Sequence, residues 1–304
     1  MMRCFEDILE AAKGTKPRRL VASFSEPDLD LICRAAAAGL IIPCLIGDGK
    51  AIEKRIERSP LASLQHEIVD EKDPGRILHR AISLILEKQA EILMQGSIDQ
   101  NAFLSAVLDA KTGLLKGRAA SYVSVFELPG RGGKLILVTD TYLNNYPDLT
   151  GKQRILENAL SFSVILGIDT PKVAILAAIE QVNPGIPSTL DAAILAKMAE
   201  RGQFGKALVE GPLDIDCSLS DAAAKRKGIK SPVTGNVDIF LVPEIDTGCL
   251  LAEALVCIGR IRTAGMVVGT TCPVILDVPF VPDECRLVEI GLASLALRRG
   301  EGDG

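Results

Sequence analysis

The sequence predicts an α/β protein built from two domains with mostly parallel sheets. Three observations carry that reading. Short apolar runs alternate with helix-length segments along the whole chain. The runs are near-continuous in Val, Ile and Leu, as in strands covered on both faces. The 304 residues are 48% hydrophobic with no Trp and only 4% aromatic, an aliphatic core large enough for one large or two ordinary domains.

Taken in order, residues 3–13 read as a short amphipathic helix ending near Gly14. Arg19–Ser23 reads as a strand, and SEPDLD opens a helix that runs to Gly39, with acids in its first turn. Ile41–Ile46 is the next strand, closing a parallel crossover unit. The alternation then loosens: helix 51–58, extended 66–69, helix 74–89, strand 92–94 and helix 101–109. Arg118–Leu128 and Lys134–Val138 read as an antiparallel pair across the turn Pro129–Gly133.

After the loop TYLNNYPDLTG come helix 152–166, strand 173–177, helix 188–201, strand 207–209 and helix 218–227. Strand 237–242, helix 248–258, and strands 264–268 and 273–276 follow. Asp283–Arg298 reads as a last amphipathic helix before a frayed tail. The expected domains are 1–133 and 134–282, with helix 283–300 a candidate to pack back on the first.

The stretch Leu208–Gly248 is the most informative. Its apolar runs stop at polar, Gly/Pro-rich turns: Gly211-Pro212, Ser231–Asn236 and Pro243–Gly248. In open α/β sheets such turns at strand ends form the ligand crevice. Loops 139–146, 183–188, 210–216 and 231–236 are therefore expected around one cleft.

Composition excludes several classes. A net charge of −5 argues against a general nucleic-acid binder. No apolar run is long enough to span a bilayer, and the mixed, charged start does not read as a signal peptide. A cytoplasmic protein with no membrane partner is the expectation. The eight cysteines are scattered and form no Cys-x-x-Cys pair, so they read as reduced small hydrophobes. Cys217 and Cys249, beside the site loops, read as reactive thiols or as fillers. The only histidines, His66 and His79, make a metal centre or Ser-His hydrolase unlike this chain.

GPLDID, KGIKSPVTGNVDIFLVPEIDTG and VNPGIPSTLDAAILAKM together resemble the phosphate acetyl/butyryltransferase (phosphotransacylase) family, nearer its butyryltransferase branch. VTDTYLNNYPDL with ILENA, GRAASYVSVFELP and the N-terminal LVASFSEPDLDLICRAAAAGLIIPCLIGD extend the resemblance in order over most of the chain. It implies two α/β/α domains, like the isocitrate and isopropylmalate dehydrogenases, with the active site in an inter-domain cleft. It also implies transfer of a short acyl group between coenzyme A and inorganic phosphate, in a homodimer. Coenzyme A is then a substrate; no covalently bound cofactor and no metal are expected. A phosphate needs cationic and backbone donors, a reacting thiol needs a base, and the tetrahedral intermediate needs an oxyanion donor.

The resemblance assigns candidate residues. Arg118 matches a phosphate-directed Arg, and reads locally as a surface Arg opening a strand. Asp140 is the second catalytic candidate. Thr139 and Asn144 stand with it after a strand as ligand contacts, or Thr139 and Asp140 cap the turn. Asn158 belongs to ILENA, where a solvated helix face is the other reading. Lys230, Ser231 and Gly235 read as contacts to a coenzyme A phosphate, through the charged side chain and backbone amides, or as a surface turn, and Pro212 completes the substrate set. Glu244 and Asp246 are cleft acids or caps, with Asp246 favoured as the cap. The cluster Lys225-Arg226-Lys227 is a solvated helix end or, more sharply, a nucleotide-phosphate contact.

One family motif is missing. A Ser-Arg-x-Asp sequence follows the late strand in the family pattern. Here those positions are Val278, Pro279 and Val281, and the family's Leu-Met-Lys-Gly is Leu93-Met94-Gln95-Gly96. The alternative expectation is therefore a catalytically degenerate coenzyme A-binding protein.

Overall fold

The computed structural model describes residues 1–115, 119–129 and 133–300. Arg118 and most of the turn expected over 129–133 lie outside the described residues. Two compact units are present. A terminal unit comprises Phe5–Ala120 and the chain from Ala264 onward; a central unit comprises Ser121–Thr263 with Met1–Cys4.

The terminal unit begins with α1 (Phe5–Lys13), β1 (Arg18–Ser23), α2 (Leu29–Ala37), β2 (Ile41–Gly47) and α3 (Gly49–Ile56). It continues through β3 (Glu67–Asp70), α4 (Pro74–Leu86), β4 (Ile92–Gly96) and α5 (Gln100–Leu108). Asp48 and Asp73 cap α3 and α4 by accepting from Lys50 N (3.1 Å) and Gly75 N (2.9 Å).

The central unit holds β5 (Ser121–Leu128), β6 (Lys134–Thr139), α6 (Leu149–Ile165), β7 (Lys172–Leu176) and α7 (Pro187–Glu200). Then come β8 (Leu208–Leu213), α8 (Ile215–Leu219), α9 (Asp221–Arg226), β9 (Ile239–Leu241) and α10 (Ile245–Glu253). β10 (Arg262–Val268) carries the chain back, and β11 (Val274–Ile275) and α11 (Arg286–Gly300) complete the terminal unit.

The strand order is β3-β2-β1-β4-β11-β10 in the terminal unit and β5-β6-β9-β7-β8 in the central one. Pairing is parallel except for β5 with β6 and β10 with β11. Leu135–Val138 of β6, Val173–Leu176 of β7 and all of β9 are buried. These are the continuous aliphatic runs of the sequence, covered on both faces.

The units divide at Ala120/Ser121 and Thr263/Ala264, where the sequence placed the breaks at 133/134 and 282/283. Two pairings account for the difference. β5 is tied to β6 from Val123 opposite Thr139 to Leu128 opposite Lys134, so both belong to the central unit. β11 lies parallel to β4, with Val274 opposite Leu93, so the chain has returned before α11 begins. α11 packs against α1 and α2. It is not amphipathic as expected: every residue from Val288 to Leu295 is buried, including Glu289 and Ser294.

The expected helix 218–227 is two helices. Ser220 is extended between them, and its hydroxyl caps α9 by accepting from Ala223 N at 3.2 Å. A serine between two short helical runs competes for the backbone in this way.

Candidate active site

The central unit carries a cleft of about 560 Å³ at the C-terminal ends of its parallel strands. Leu176, Ala177 and Ala178 line it after β7; Pro243 and Glu244 line it after β9. Tyr146 and Pro147 enter from the loop after β6, Pro187 and Ser188 from the start of α7, and Ile215 from α8. This is the crevice position that a parallel sheet creates. Three of the four expected loops contribute a wall; 231–236 does not. All lining residues belong to the one unit.

Two charged side chains face the cleft. Lys152 lies on the buried stripe of α6 with Ile155, Leu156, Ala159 and Phe162, and is 7% exposed. Its ammonium pairs with Asp191 of α7 at 2.6 Å. Sequence reading missed both, although a lysine in phase with an apolar stripe was the available signal.

The second is Glu244. It caps α10, accepting from Asp246 N (2.7 Å) and Thr247 N (3.0 Å), and also from the Thr247 hydroxyl. Burial works to raise its carboxyl, but those donors and Lys152 outweigh it and hold it below the usual range. The cap is therefore Glu244, not Asp246, whose carboxylate instead accepts from the Tyr146 hydroxyl at 3.2 Å. An N-cap is the residue just before the first helical one, and α10 begins at Ile245, two residues earlier than a cap at Asp246 allows.

Asp140 organises the next loop. Its buried carboxylate accepts from Tyr122 N (3.1 Å), Tyr142 N (2.7 Å), Leu143 N (2.9 Å) and Asn144 Nδ2 (2.5 Å). Burial pushes the carboxyl up, against these hydrogen bonds, which favour the ionised form. Thr139 is fully buried and donates to Tyr122 O at 3.1 Å. Asn158, on α6, donates to Ser121 Oγ at 3.1 Å. Asp140 thus holds the loop that leads to Tyr146, while Thr139 and Asn158 bond to β5. The start of α10 presses on the same point: a Cβ at Gly248 would lie 2.3 Å from Asp140 O, so only glycine fits.

The coenzyme candidates are dispersed. Pro212 is buried, in a cis peptide with Gly211. Lys230 is exposed. Ser231 Oγ accepts from Val233 N at 3.2 Å within its own turn. Gly235 has φ +72°, and a Cβ there would meet Asp221 N at 2.7 Å, so it lets the turn close on α9.

Lys227 is not available to a phosphate. Its ammonium is held by Glu180 (2.5 Å), Asp214 and Asp216 (3.0 Å), which raise its pKa despite some loss of solvation. Lys225 pairs with Asp221 at 2.5 Å. Glu180, Asp214, Asp216 and Cys217 are close enough to hold a cation, and Lys227 already supplies one to the carboxylates. The Cys217 thiol is buried and pushed up to about 12, first by burial and then by Asp214. Burial and Glu253 raise that of Cys249 too. Both are poor nucleophiles.

In the terminal unit the altered motif positions stand together. Gln95 Oε1 accepts from Asp277 N at 3.1 Å, next to Val278. Val278 and Val281 are buried at 2% and 8% exposure, whereas Pro279 is exposed. Arg286 supplies a cation nearby, but it donates to the buried Asp28 at 2.6 Å and lies 3.8 Å from Asp277.

A parallel α/β sheet with a cleft at its strand ends, apolar walls and internally neutralised charges defines a small-molecule-binding α/β protein. The chain belongs to the phosphate acetyl/butaryl transferase family, whose model matches residues 76–277. The match ends one residue before Val278. The chain is 34% identical to the phosphate butyryltransferase of Clostridium acetobutylicum over 97% of its length and 98% of that protein. It is 35% identical to the phosphate acetyltransferase of Rhizobium meliloti over 97% of its length and 94% of that protein. Its fold matches that of a branched-chain phosphotransacylase from Enterococcus faecalis V583, with a TM-score of 0.80 and 27% identity. That match covers 92% of this chain and 99% of the other. The phosphotransacylase resemblance of the sequence motifs is thus borne out over nearly the full length of the chain.

Proposed function

We propose that the protein transfers a short acyl group between coenzyme A and inorganic phosphate, and that it does so slowly. The observation that carries the reading is the near end-to-end similarity to named acyltransferases, with no large part of either chain left over. In the forward direction a phosphate oxygen attacks the thioester carbonyl. The C–S bond breaks, and the coenzyme leaves as thiolate and takes up a proton. The reverse direction needs the thiol deprotonated. This scheme calls for no metal and no covalently held cofactor.

The slow rate is inferred from Val278, Pro279 and Val281. They offer no hydroxyl, guanidinium or carboxylate, and Pro279 lacks a backbone N–H. Arg118 is the remaining candidate for phosphate. Asp140 acts by positioning the 140–146 loop rather than as the base, because four donors already occupy its carboxylate. Lys230, the only charged residue of its turn, and the backbone around Ser231 and Gly235 are the proposed coenzyme contacts. Pro212 shapes the wall from β8 into α8.

Coenzyme A is expected to raise the melting temperature. A ligand at about 100 times its Kd stabilises the native state by about 2.7 kcal/mol. Lys230→Ala should weaken that effect several-fold, and a remote surface Lys→Ala should not. No thermal shift and no calorimetric heat at saturating coenzyme A would reject the reading.

The protein is further proposed to be a cytoplasmic homodimer, with no nucleic-acid or membrane partner. Among the described residues no helix is long and apolar enough to cross a membrane. The dimer reading rests on α10 and the π-turn after it. Leu250 is 66% and Ile258 83% exposed, and only Gly248 and Ala252 of α10 are buried. Such a face is expected to be covered by a second copy. Leu250→Asp with Ile258→Asp should give a monomer in light scattering at micromolar concentration. A monomeric unaltered protein would contradict the dimer.

A further inference from the structure

We infer that the central-unit cleft is the pocket for the acyl chain, and that it accepts chains longer than the short ones, since its size is in the range that encloses whole small ligands. The inference deepens the phosphotransacylase reading and rests on it for the identity of the ligand as an acyl-coenzyme A.

Its physical basis is the state of the polar groups. Lys152 is spent on Asp191 at 2.6 Å. Glu244 and the Thr247 hydroxyl are spent on the α10 cap. What remains for a ligand is an apolar wall of Leu176, Ala177, Ala178, Pro187, Ile215 and Pro243, with Ser188 as the nearest uncommitted polar side chain. The one cation on these walls is already paired, and most of the lining is carbon, so the walls favour an apolar occupant. Size then decides how much of it there is. The cleft holds about 560 Å³. An acetyl group displaces roughly the volume of two waters, ~60 Å³, and would leave most of the wall wet. Each further methylene replaces water against apolar carbon, a gain equivalent to about a fourfold change in affinity.

The test is calorimetry of the full-length protein with coenzyme A and with acetyl-, butyryl-, hexanoyl-, octanoyl- and decanoyl-coenzyme A. Binding does not require turnover, so this test is separate from the activity assay. Affinity should rise about fourfold per methylene beyond butyryl, and level where the chain outgrows the cleft. Two variants report on the pocket itself. Ala178→Leu, at an exposed position, should flatten the rise at a shorter chain. Ile215→Asp places a carboxylate in the cleft mouth, where the first turn of α8 tolerates an acid, and should remove the rise for all long chains.

Equal affinity across the series would overturn the acyl-pocket inference while leaving coenzyme binding intact. The same rise in both variants would overturn it too, because chain binding would then lie elsewhere. Failure to bind any member would overturn the inference together with the coenzyme reading. Chain-dependent binding without phosphate-dependent thiol release would support the pocket and reject the reaction.

Discussion

Asp140→Ala is expected to destabilise the central unit by about 1–3 kcal/mol, since it removes the acceptor of one buried donor, Tyr122 N, and of three half-buried ones that water can reach. The carboxylate collects three backbone N–H groups and the Asn144 amide, and the side chain of Thr139 beside it is already committed to Tyr122 O. Thr139, Asp140 and Thr141 are all buried, so the Tyr122 N–H is the donor that water cannot readily serve. Asp140→Asn keeps one acceptor oxygen and should lose about half as much. The protein reports this change through its own fluorescence. It has no Trp, and all three tyrosines, Tyr122, Tyr142 and Tyr146, lie in the central unit. The rings of Tyr122 and Tyr142 are 5.8 Å apart beside the carboxylate. Urea unfolding followed by tyrosine fluorescence should show the midpoint falling steeply. An unchanged midpoint would mean that Asp140 is not the hub of its loop, and would return it to the list of candidate bases.

The second large effect is a gain. Val278→Ser, Pro279→Arg and Val281→Asp together should raise phosphotransacylase turnover by about 10²–10³, the typical worth of an oxyanion donor alone. The added cation and carboxylate should contribute further, though not additively. The structure ranks the three. Pro279 is exposed, so an arginine there costs little in stability. Val278 and Val281 are buried, so the serine and especially the aspartate are costly unless they find partners. Pro279→Arg alone is thus expected to lower the KM for phosphate in a protein as stable as the original. Steady-state kinetics at varied phosphate, paired with unfolding curves, check both halves. A folded, coenzyme-binding triple variant with no gain would mean that the terminal unit has been remodelled for another acceptor.

Most of the fold was legible because its signal is local. The aliphatic runs of β6, β7 and β9 are buried on both faces, and that requirement is written into their composition. The antiparallel β5–β6 pair was likewise visible as two strands around a Gly-rich turn. The unit boundaries were not, because they are set by pairings between distant residues, such as Val274 with Leu93. The amphipathic expectation for α11 failed for a related reason. Its polar Glu289 is buried and accepts from Gly265 N at 3.2 Å, a partner that sequence alone does not offer.

The candidate site was legible as loops more than as residues. Loops 139–146, 183–188 and 210–216 do meet at the cleft, yet none of Thr139, Asp140, Asn144, Asn158 or Pro212 lines it. Asp140 binds its own loop and Asn158 binds Ser121, and a motif match does not tell in advance which of its residues line a cleft. Lys227 illustrates the same limit. In sequence it is one of three consecutive cations, whereas in space it is the counter-ion of Glu180, Asp214 and Asp216. Charges that lie 11 to 47 residues away decided its role.

The account turns on one reaction, and one measurement reaches it most directly: release of free thiol from butyryl-coenzyme A by the unaltered protein, followed continuously with and without inorganic phosphate. The account predicts slow release that depends on phosphate, saturates with it, and increases in the Pro279→Arg variant. Release that is absent at every phosphate concentration, or that proceeds equally without phosphate, would contradict it.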